Sequence, residues 1–375
     1  MKKHILLAIA VLSLVKGSLY AADKNWTEFE LLGLSPYAWK CSGTGATLRA
    51  EATFPGAYLK TIVNGTSTIG LVIDGTANNE CPPKNMPTIE YSVDGGPFTR
   101  VQLTQTGTVY TLPLANGLNA DASHKLELNF RAASLEKRWH ASVPNLRIGG
   151  ISLDDGGTLS RYEMRPKRAI IFGDSVTEGF NVDCQAADGP DWMKCSNART
   201  WGHFVSCALD CEYGQLGSSG QGMVNTEINL PPLPETWDRY DGYSAISRLT
   251  DGLLLPEPDY VFNNMGNNDH ADVTSPLVAW AEVVRAACPH SRIFCVVPGS
   301  GYHRSEVQAA VAALNQAGDA KVHLIDIPLM NKLVPNVGLP TQGSYDGGHP
   351  TMYGQAVFGA GVALEVQKIL STDGP

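Results

Sequence analysis

Arg168-Ala169-Ile170-Ile171-Phe172-Gly173-Asp174-Ser175-Val176-Thr177-Glu178-Gly179 is the stretch that decides how the second half of this chain folds. Four consecutive apolar residues, Ala169 to Phe172, read as a strand buried on both faces, the pattern of a parallel sheet. Gly173 ends the run, and a helix is expected to follow, so Ser175 sits where a strand ends and a helix N-terminus begins. Backbone N–H groups at such a junction can face an anion. A lone Gly-Asp-Ser tripeptide is common and serves equally as a plain helix cap. Its position behind the first parallel strand is what makes Ser175 the candidate nucleophile.

Downstream, apolar β-type runs at 168–172, 260–264, 292–297 and 322–327 alternate with helical patterns at 200–209, 275–287, 305–317 and 352–370. This alternation predicts a parallel sheet covered on both faces, with the site at the carboxyl ends of its strands. Upstream the pattern changes. Residues 25–155 carry short alternating runs (46–54, 67–73, 88–93, 125–131) divided by turn signals such as Asp74-Gly75, Asp94-Gly95-Gly96 and Asn116-Gly117. They predict an antiparallel sandwich or jelly roll. A chain of 375 residues is long for one core. The reading is an all-β sandwich over 23–160 and an α/β domain over 161–375, behind a segment at 1–22.

Three further motifs complete a chemistry. Asp346-Gly347-Gly348-His349-Pro350 places a carboxylate three residues before an imidazole. His349 would take the Ser175 proton and return one to the leaving group, and Asp346 would orient the ring and stabilise its charged form. The plain alternative is that both residues cap the last helix. Gly266-Asn267-Asn268-Asp269 follows the 260–264 strand, and Gly217-Ser218-Ser219-Gly220 stands between the first and second strands of the α/β half. An oxyanion hole would draw on the Ser175 and Gly220 backbone N–H groups and the Asn268 amide, each donor contributing roughly 3 kcal/mol. Taken separately, both are ordinary turns.

In order, Gly173-Asp174-Ser175-Val176-Thr177-Glu178-Gly179, Gly220, Gly266-Asn267-Asn268-Asp269 and Asp346-Gly347-Gly348-His349 resemble the four sequence blocks of the SGNH, or GDSL, hydrolases. The resemblance implies a flavodoxin-like α/β/α fold over about 165–375 and a Ser175, His349, Asp346 triad with Gly220 and Asn268 in the oxyanion hole. It implies no metal and no cofactor. Gln215 departs from the Asn that opens the second block in many members, which leaves Gly217 as a fallback for Gly220. Tyr91-Ser92-Val93-Asp94-Gly95, Gly117-Leu118 and His124-Lys125-Leu126 resemble the jelly roll that precedes the catalytic domain in carbohydrate esterase family two.

Lys2 and Lys3 precede an apolar segment from Ile5 to Val15, and small residues Ala21 and Ala22 follow. This is the pattern of a cleaved secretory signal, too short to anchor in a bilayer, and it predicts a secreted or periplasmic protein. Its removal takes three lysines and no acid, so the formal charge goes from -9 to -12. With that charge and no Lys/Arg cluster, nucleic acid is not an expected partner. The eight cysteines of an exported chain suggest disulfides, the neighbour pairings being Cys184–Cys195, Cys207–Cys211, Cys288–Cys295 and Cys41–Cys81. No CxxC occurs and the nine histidines are scattered, which argues against zinc.

Trp192, Trp201 and Trp237, with Tyr240 and Tyr243, are candidates for stacking sugar rings at the rim of the site, the alternative being that they fill the core. The expected partner is an acetylated polysaccharide or oligosaccharide, and the expected reaction is O-deacetylation of a plant cell-wall sugar such as xylan, glucomannan or xyloglucan. A lipase, thioesterase or peptidoglycan O-acetylesterase would use the same triad. A carbohydrate-binding protein that has lost catalysis is the reading from outside enzymes.

Overall fold

In the computed structural model the described residues are 31–372, except 45–46, 80, 82, 84–85, 134–145, 184–189, 227–230, 241–246, 249–255, 328–343 and 345–347. The expected segment at 1–22 lies outside them. The amino-terminal half is antiparallel. Its strands are β1 (Gly33–Leu34), β2 (Lys40–Ser42), β3 (Arg49–Ala52), β4 (Tyr58–Asn64), β5 (Ile69–Asp74), β6 (Thr88–Val93), β7 (Thr99–Gln102), β8 (Val109–Ala115), β9 (His124–Ala132), β10 (Leu146–Leu153) and β11 (Thr158–Ser160). One sheet runs β1-β4-β9-β6-β7, with β11 also on β4; the other runs β2-β3-β10-β5-β8. Leu59, Val63, Ile89, Leu126, Leu128 and Phe130 from the first sheet share one core with Ala50, Leu71, Ile73, Ile148 and Ile151 from the second. The alternation that predicted strands is the alternation that fills this sandwich.

The carboxyl-terminal half carries a parallel sheet of β12 (Lys167–Gly173), β13 (Cys211–Gly217), β14 (Tyr260–Asn264), β15 (Arg292–Val296) and β16 (Val322–Ile325), in the order β13-β12-β14-β15-β16. This is the doubly wound, flavodoxin-like order. The helices are α1 (Ser175–Glu178), α2 (Asp191–Lys194), α3 (Trp201–Ala208), α4 (Leu233–Thr236), α5 (Thr274–Ala287), α6 (Arg304–Gln316) and α7 (Met352–Thr372). Each strand feeds both faces. Ile170 and Phe172 of β12 pack with Leu277, Trp280, Ala281 and Val284 of α5 and with Val307, Ala310, Val311 and Leu314 of α6. Ala169 and Ile171 pack with Trp201 and Val205 of α3 and with Phe358, Val362 and Val366 of α7. The i, i+3, i+4, i+7 spacing of α5 and α6 is the apolar stripe of a helix lying on a sheet. The fold class is the one expected.

The two halves are joined by sandwich side chains that enter the cores of the carboxyl-terminal half. Tyr37 and Phe54, from the segments around β1 to β4, belong to the α5–α6 core, and Tyr58 of β4 belongs to the α3–α7 core. The Tyr37 hydroxyl donates to the Pro256 carbonyl at 2.7 Å, and the Thr53 hydroxyl donates to the Tyr240 carbonyl at 3.1 Å. Tyr58 also donates to the Glu212 carboxylate, which Lys60 approaches at 3.1 Å.

The cysteine pairings are corrected. Cys41, Cys207, Cys211, Cys288 and Cys295 are thiols, which removes the Cys207–Cys211, Cys288–Cys295 and Cys41–Cys81 bridges. Cys211 and Cys295 point into cores from strands, and burial pushes each thiol up to about 12. Cys184 lies outside the described residues, and its pairing with Cys195 with it.

Candidate active site

Ser175 opens α1 directly behind β12. Asp174 caps the helix, its carboxylate accepting the Val176 N–H at 2.9 Å, and Gly179 ends it in the left-handed region at φ 80°. A one-turn helix holds together here because both ends are tied. A side chain at Gly179 would meet the Ser196 carbonyl at 2.3 Å, which the positive φ already disfavours for other residues. Ser175 is 7% exposed, and its hydroxyl lies 2.9 Å from His349 Nε2. The two are 174 residues apart. Serine and imidazole thus meet within proton-transfer distance at the carboxyl end of β12, where a doubly wound sheet holds its site.

His349 is fixed from its own side. Ser344 and Pro350 form an antiparallel bridge that closes the segment before α7. Phe180 packs edge-on against the imidazole with centroids 4.7 Å apart, and Lys194 stands 4.9 Å over the same Phe180 ring. Phe180 carried no sequence signal, because an aromatic just past a helix end reads as core. Asp346 lies outside the described residues.

The second and third blocks converge on the same end. In register, Gly173 of β12 faces Gly217 of β13 and Asn264 of β14. Ser218 N–H donates to the Gly173 carbonyl at 3.0 Å, and Ser219 N–H to the Glu178 carboxylate at 2.7 Å. Gly220 takes the left-handed conformation at φ 77°, and its N–H has no hydrogen-bond partner among the described residues. Gly217 is the last residue of a ladder and packs on Glu178, so it does not offer a loop N–H in the way Gly220 does. The Asn268 amide donates to the Gln221 carbonyl at 2.8 Å, tying its loop to the turn that presents Gly220.

Several supports escaped sequence reasoning. The Asn267 amide donates to the Asp174 carboxylate at 2.8 Å and accepts from the Ser300 hydroxyl at 2.8 Å. Burial pushes the Asp174 carboxyl up, against the Val176 N–H and the Asn267 amide. Asp269 accepts three backbone N–H groups, from Met223, Val224 and Asn225, at 2.7–2.9 Å. Gln215, the departure in the second block, lies inside β13, where its amide donates to the Thr177 carbonyl and its oxygen accepts from Thr200 at 3.0 Å. It braces α1 from below. Consecutive turns of Asn, Asp, Ser and Gly give no hint of which carboxylate binds which loop, since the bonds run across 15 to 93 residues.

Two of the three tryptophans are corrected. Trp201 is fully buried, its indole N–H donating to Thr177 at 3.0 Å and its ring packed on Phe262 and Phe358. Trp237 is 5% exposed and lies edge-on to Phe172. Tyr240 is likewise buried. All three fill the core, where a large ring displaces more water than any other side chain. The side chain of Trp192 and all of Tyr243 lie outside the described residues.

Residues 170–362 match the family described as GDSL-like Lipase/Acylhydrolase, more than half of the chain. The chain belongs to this family. No curated protein sequence matches it. Among solved structures, a family two carbohydrate esterase from Cellvibrio japonicus superposes with a TM-score of 0.70 at 16% identity, over 93% of this chain and 96% of that one. A family two carbohydrate esterase from Clostridium thermocellum in complex with cellohexaose gives 0.70 at 19% identity, over 91% and 99%. An acetyl xylan esterase from the rumen bacterium Butyrivibrio proteoclasticus gives 0.69 at 16%, over 92% and 97%. At these identities the likeness is one of fold, and it runs through the sandwich as well as the GDSL half. Among the described residues no group of three His, Cys, Asp or Glu is placed to hold a metal ion.

Proposed function

We propose that this GDSL protein is a secreted carbohydrate O-acetylesterase that releases acetate from a plant cell-wall polysaccharide of the xylan, glucomannan or xyloglucan type. The observation that carries the reading is the 2.9 Å contact between Ser175 Oγ and His349 Nε2 at a strand-to-helix junction. Ser175 Oγ attacks the acetyl carbonyl as its proton passes to His349 Nε2. The imidazolium then gives that proton to the departing sugar oxygen, and water, deprotonated by His349, releases acetate from Ser175. Asp346 takes the part of orienting the imidazole. The carbonyl oxygen, negative at the tetrahedral stage, is met by the N–H groups of Ser175 and Gly220 and by the Asn268 amide.

The choice of a sugar ester is supported by the resemblance to family two carbohydrate esterases over both halves of the chain. Secretion is supported by the Lys2-Lys3 start and the apolar run behind it. With Trp201 and Trp237 in the core, the face for a sugar ring passes to exposed aromatics at the carboxyl end of the sheet. Tyr302 is 53% exposed, two residues beyond the Ser300 that bonds Asn267, and Tyr353, just after His349, is 51% exposed.

The test is hydrolysis of a chromogenic acetyl ester and of acetylated xylan by the intact protein. Ser175→Ala and His349→Ala are each expected to remove at least about a thousandfold in kcat while leaving Tm within a few degrees. Wild-type preference for a long-chain over an acetyl ester would move the substrate to lipids. Near-normal turnover in His349→Ala would remove it as the base.

A further inference from the structure

At the end of the parallel sheet remote from Ser175 lies a second cluster of reactive groups that ester hydrolysis does not use. Lys167 and Cys211 begin β12 and β13 and face each other across the ladder, whereas Ser175 follows the far end of β12. Seven strand residues at about 3.3 Å each separate the two ends by roughly 20 Å. Here a cavity of about 260 Å³ opens between the sandwich, through Tyr58, Lys60 and Lys125, and the GDSL half, through Arg165, His203 and Cys207. One water occupies about 30 Å³ in the liquid, so the space admits a small organic molecule.

Cys207 is exposed on α3, one turn after His203, and a spacing of four puts both side chains on one face. Its sulfur lies 3.7 Å from His203 Nε2 and 3.7 Å from the Arg165 guanidinium. Arg165 is itself held by the carbonyls of Ser206 and Cys211 at 3.3 and 3.2 Å. The hydrogen bond to His203, and after it Arg165, bring the thiol down to about 7 against the opposing effect of burial. Near neutral pH about half of it is thiolate, the form that attacks disulfides. Cys41, the other exposed thiol among the described residues, is shifted the opposite way by burial.

We propose that Cys207 is a site of S-thiolation, taking up one half of a zwitterionic low-molecular-weight disulfide of the cystine type that seats in the cavity between the two halves of the chain. Both signs of charge line the cavity, Lys60, Lys125 and Arg165 against Glu127, Glu163 and Glu212, which suits a ligand carrying an ammonium and a carboxylate together. In the step, the Cys207 sulfur attacks one ligand sulfur in line with the S–S bond. A new S–S bond forms as the old one breaks, and the departing half leaves as a thiolate that takes a proton from solvent. Cys207 is oxidised and the departing half reduced, with no further reagent. Cys211, four residues on, is buried and its thiol is pushed up to about 12, so it stays protonated and does not displace the adduct into an internal bridge.

The experiment exposes the intact protein to cystine at pH 7 and follows adducts by peptide mass mapping. Modification is expected at Cys207 first and ahead of Cys41, with acetyl-ester turnover unchanged by the adduct. For a thiol returning from about 7 to its ordinary value near 9, the thiolate fraction falls about fiftyfold while the more basic sulfur gains about tenfold in nucleophilicity. His203→Ala should therefore slow the adduct by up to about fivefold. In a second arm with the wild type, the rate at Cys207 relative to Cys41 should be higher with cystine than with uncharged hydroxyethyl disulfide. Equal labelling of Cys41 and Cys207, a Cys207–Cys211 bridge in place of the adduct, or an equal ratio for the two disulfides would each overturn the proposal.

Discussion

Trp201 and Asn268 show how the setting of one residue decides its work. Trp201 is 26 residues from Ser175 in sequence and contributes to the site only from behind, by bonding Thr177 inside α1. Tyr302 has the opposite setting, on the surface beside the Ser300–Asn267 contact. Tyr302→Ala is expected to raise KM for acetylated xylan about three- to tenfold and to leave KM for a small acetyl ester unchanged, since a stacking contact contributes about 1 kcal/mol. Equal effects on both substrates would remove it from sugar binding. Under the proposed mechanism Asn268 works through charge. Its amide donates to the Gln221 carbonyl and, in that proposed role, also to the oxyanion, so Asn268→Ala should lower kcat about a hundredfold with little change in KM. A change confined to KM would assign Asn268 to substrate binding.

At the scale of elements, the turn between β6 and β7 carries a pH-dependent contact. Asp94 takes the left-handed conformation at φ 54°, accepts the Lys125 N–H at 2.8 Å, and lies 2.7 Å from His124 Nδ1. The hydrogen bond that His124 donates to Asp94, then that to the Asn119 carbonyl, raises the His124 pKa above its ordinary 6.5, and the bond to Asp94 lowers the Asp94 pKa below 3.8. For a raised histidine, the stabilisation is complete below about 6.5 and is lost as pH climbs through the folded value. For a lowered carboxyl, it is present above about 3.8 and is lost as pH falls through the folded value. The pair is therefore worth most between about pH 4 and 6.5. Asp94 is half exposed, so solvent screens the pair and the effect is small. Asp94→Asn keeps a residue that tolerates positive φ and should lower Tm by about 1 to 2 °C at pH 5.5 and by less at pH 8. The same loss at both pH values would show that the turn and not the charge is responsible.

The whole molecule is held at the site by a buried charge that crosses between its halves. Arg131 of β9 is fully buried, 2.7 Å from Glu90 of β6, and it also pairs with Asp183 and donates to the Ser196 hydroxyl at 3.1 Å. Ser196 N–H in turn donates to the Gly179 carbonyl, so the sandwich reaches the carboxyl end of α1 through two hydrogen bonds. Burial brings the Arg131 pKa down to about 10, still far above neutrality, so the guanidinium is charged. Arg131→Ala leaves the buried Glu90 carboxylate with only the more distant Arg199 at 3.9 Å and should cost about 3 kcal/mol in chemical denaturation. It should also lower kcat on a small acetyl ester, because α1 loses a brace. A destabilised variant with full kcat would show that the sandwich holds the fold without positioning Ser175. The Tyr37, Phe54 and Tyr58 side chains set in the other half's cores make the same point in apolar form.

What the sequence by itself determined was whatever local patterning controls. Period-two runs gave the sandwich strands, β-type runs alternating with a 3.6-residue period gave the doubly wound half, and the 260–264 strand and the helix starting at Met352 stand where their patterns put them. Ser175 and His349 were legible because their blocks are contiguous in sequence and sit at element ends. Only the tertiary structure decided which aromatics face substrate, since Trp201 and Trp237 have the same local signature whether they lie under a helix or at a rim. It likewise decided that Cys207 and Cys211 stay apart as thiols, one at an open helix end and one inside a sheet. It assigned Asp174, Asp269 and Gln215 their loops. Burial and long-range hydrogen bonding depend on which surfaces meet, and in this chain those surfaces are brought together from segments as far as 219 residues apart.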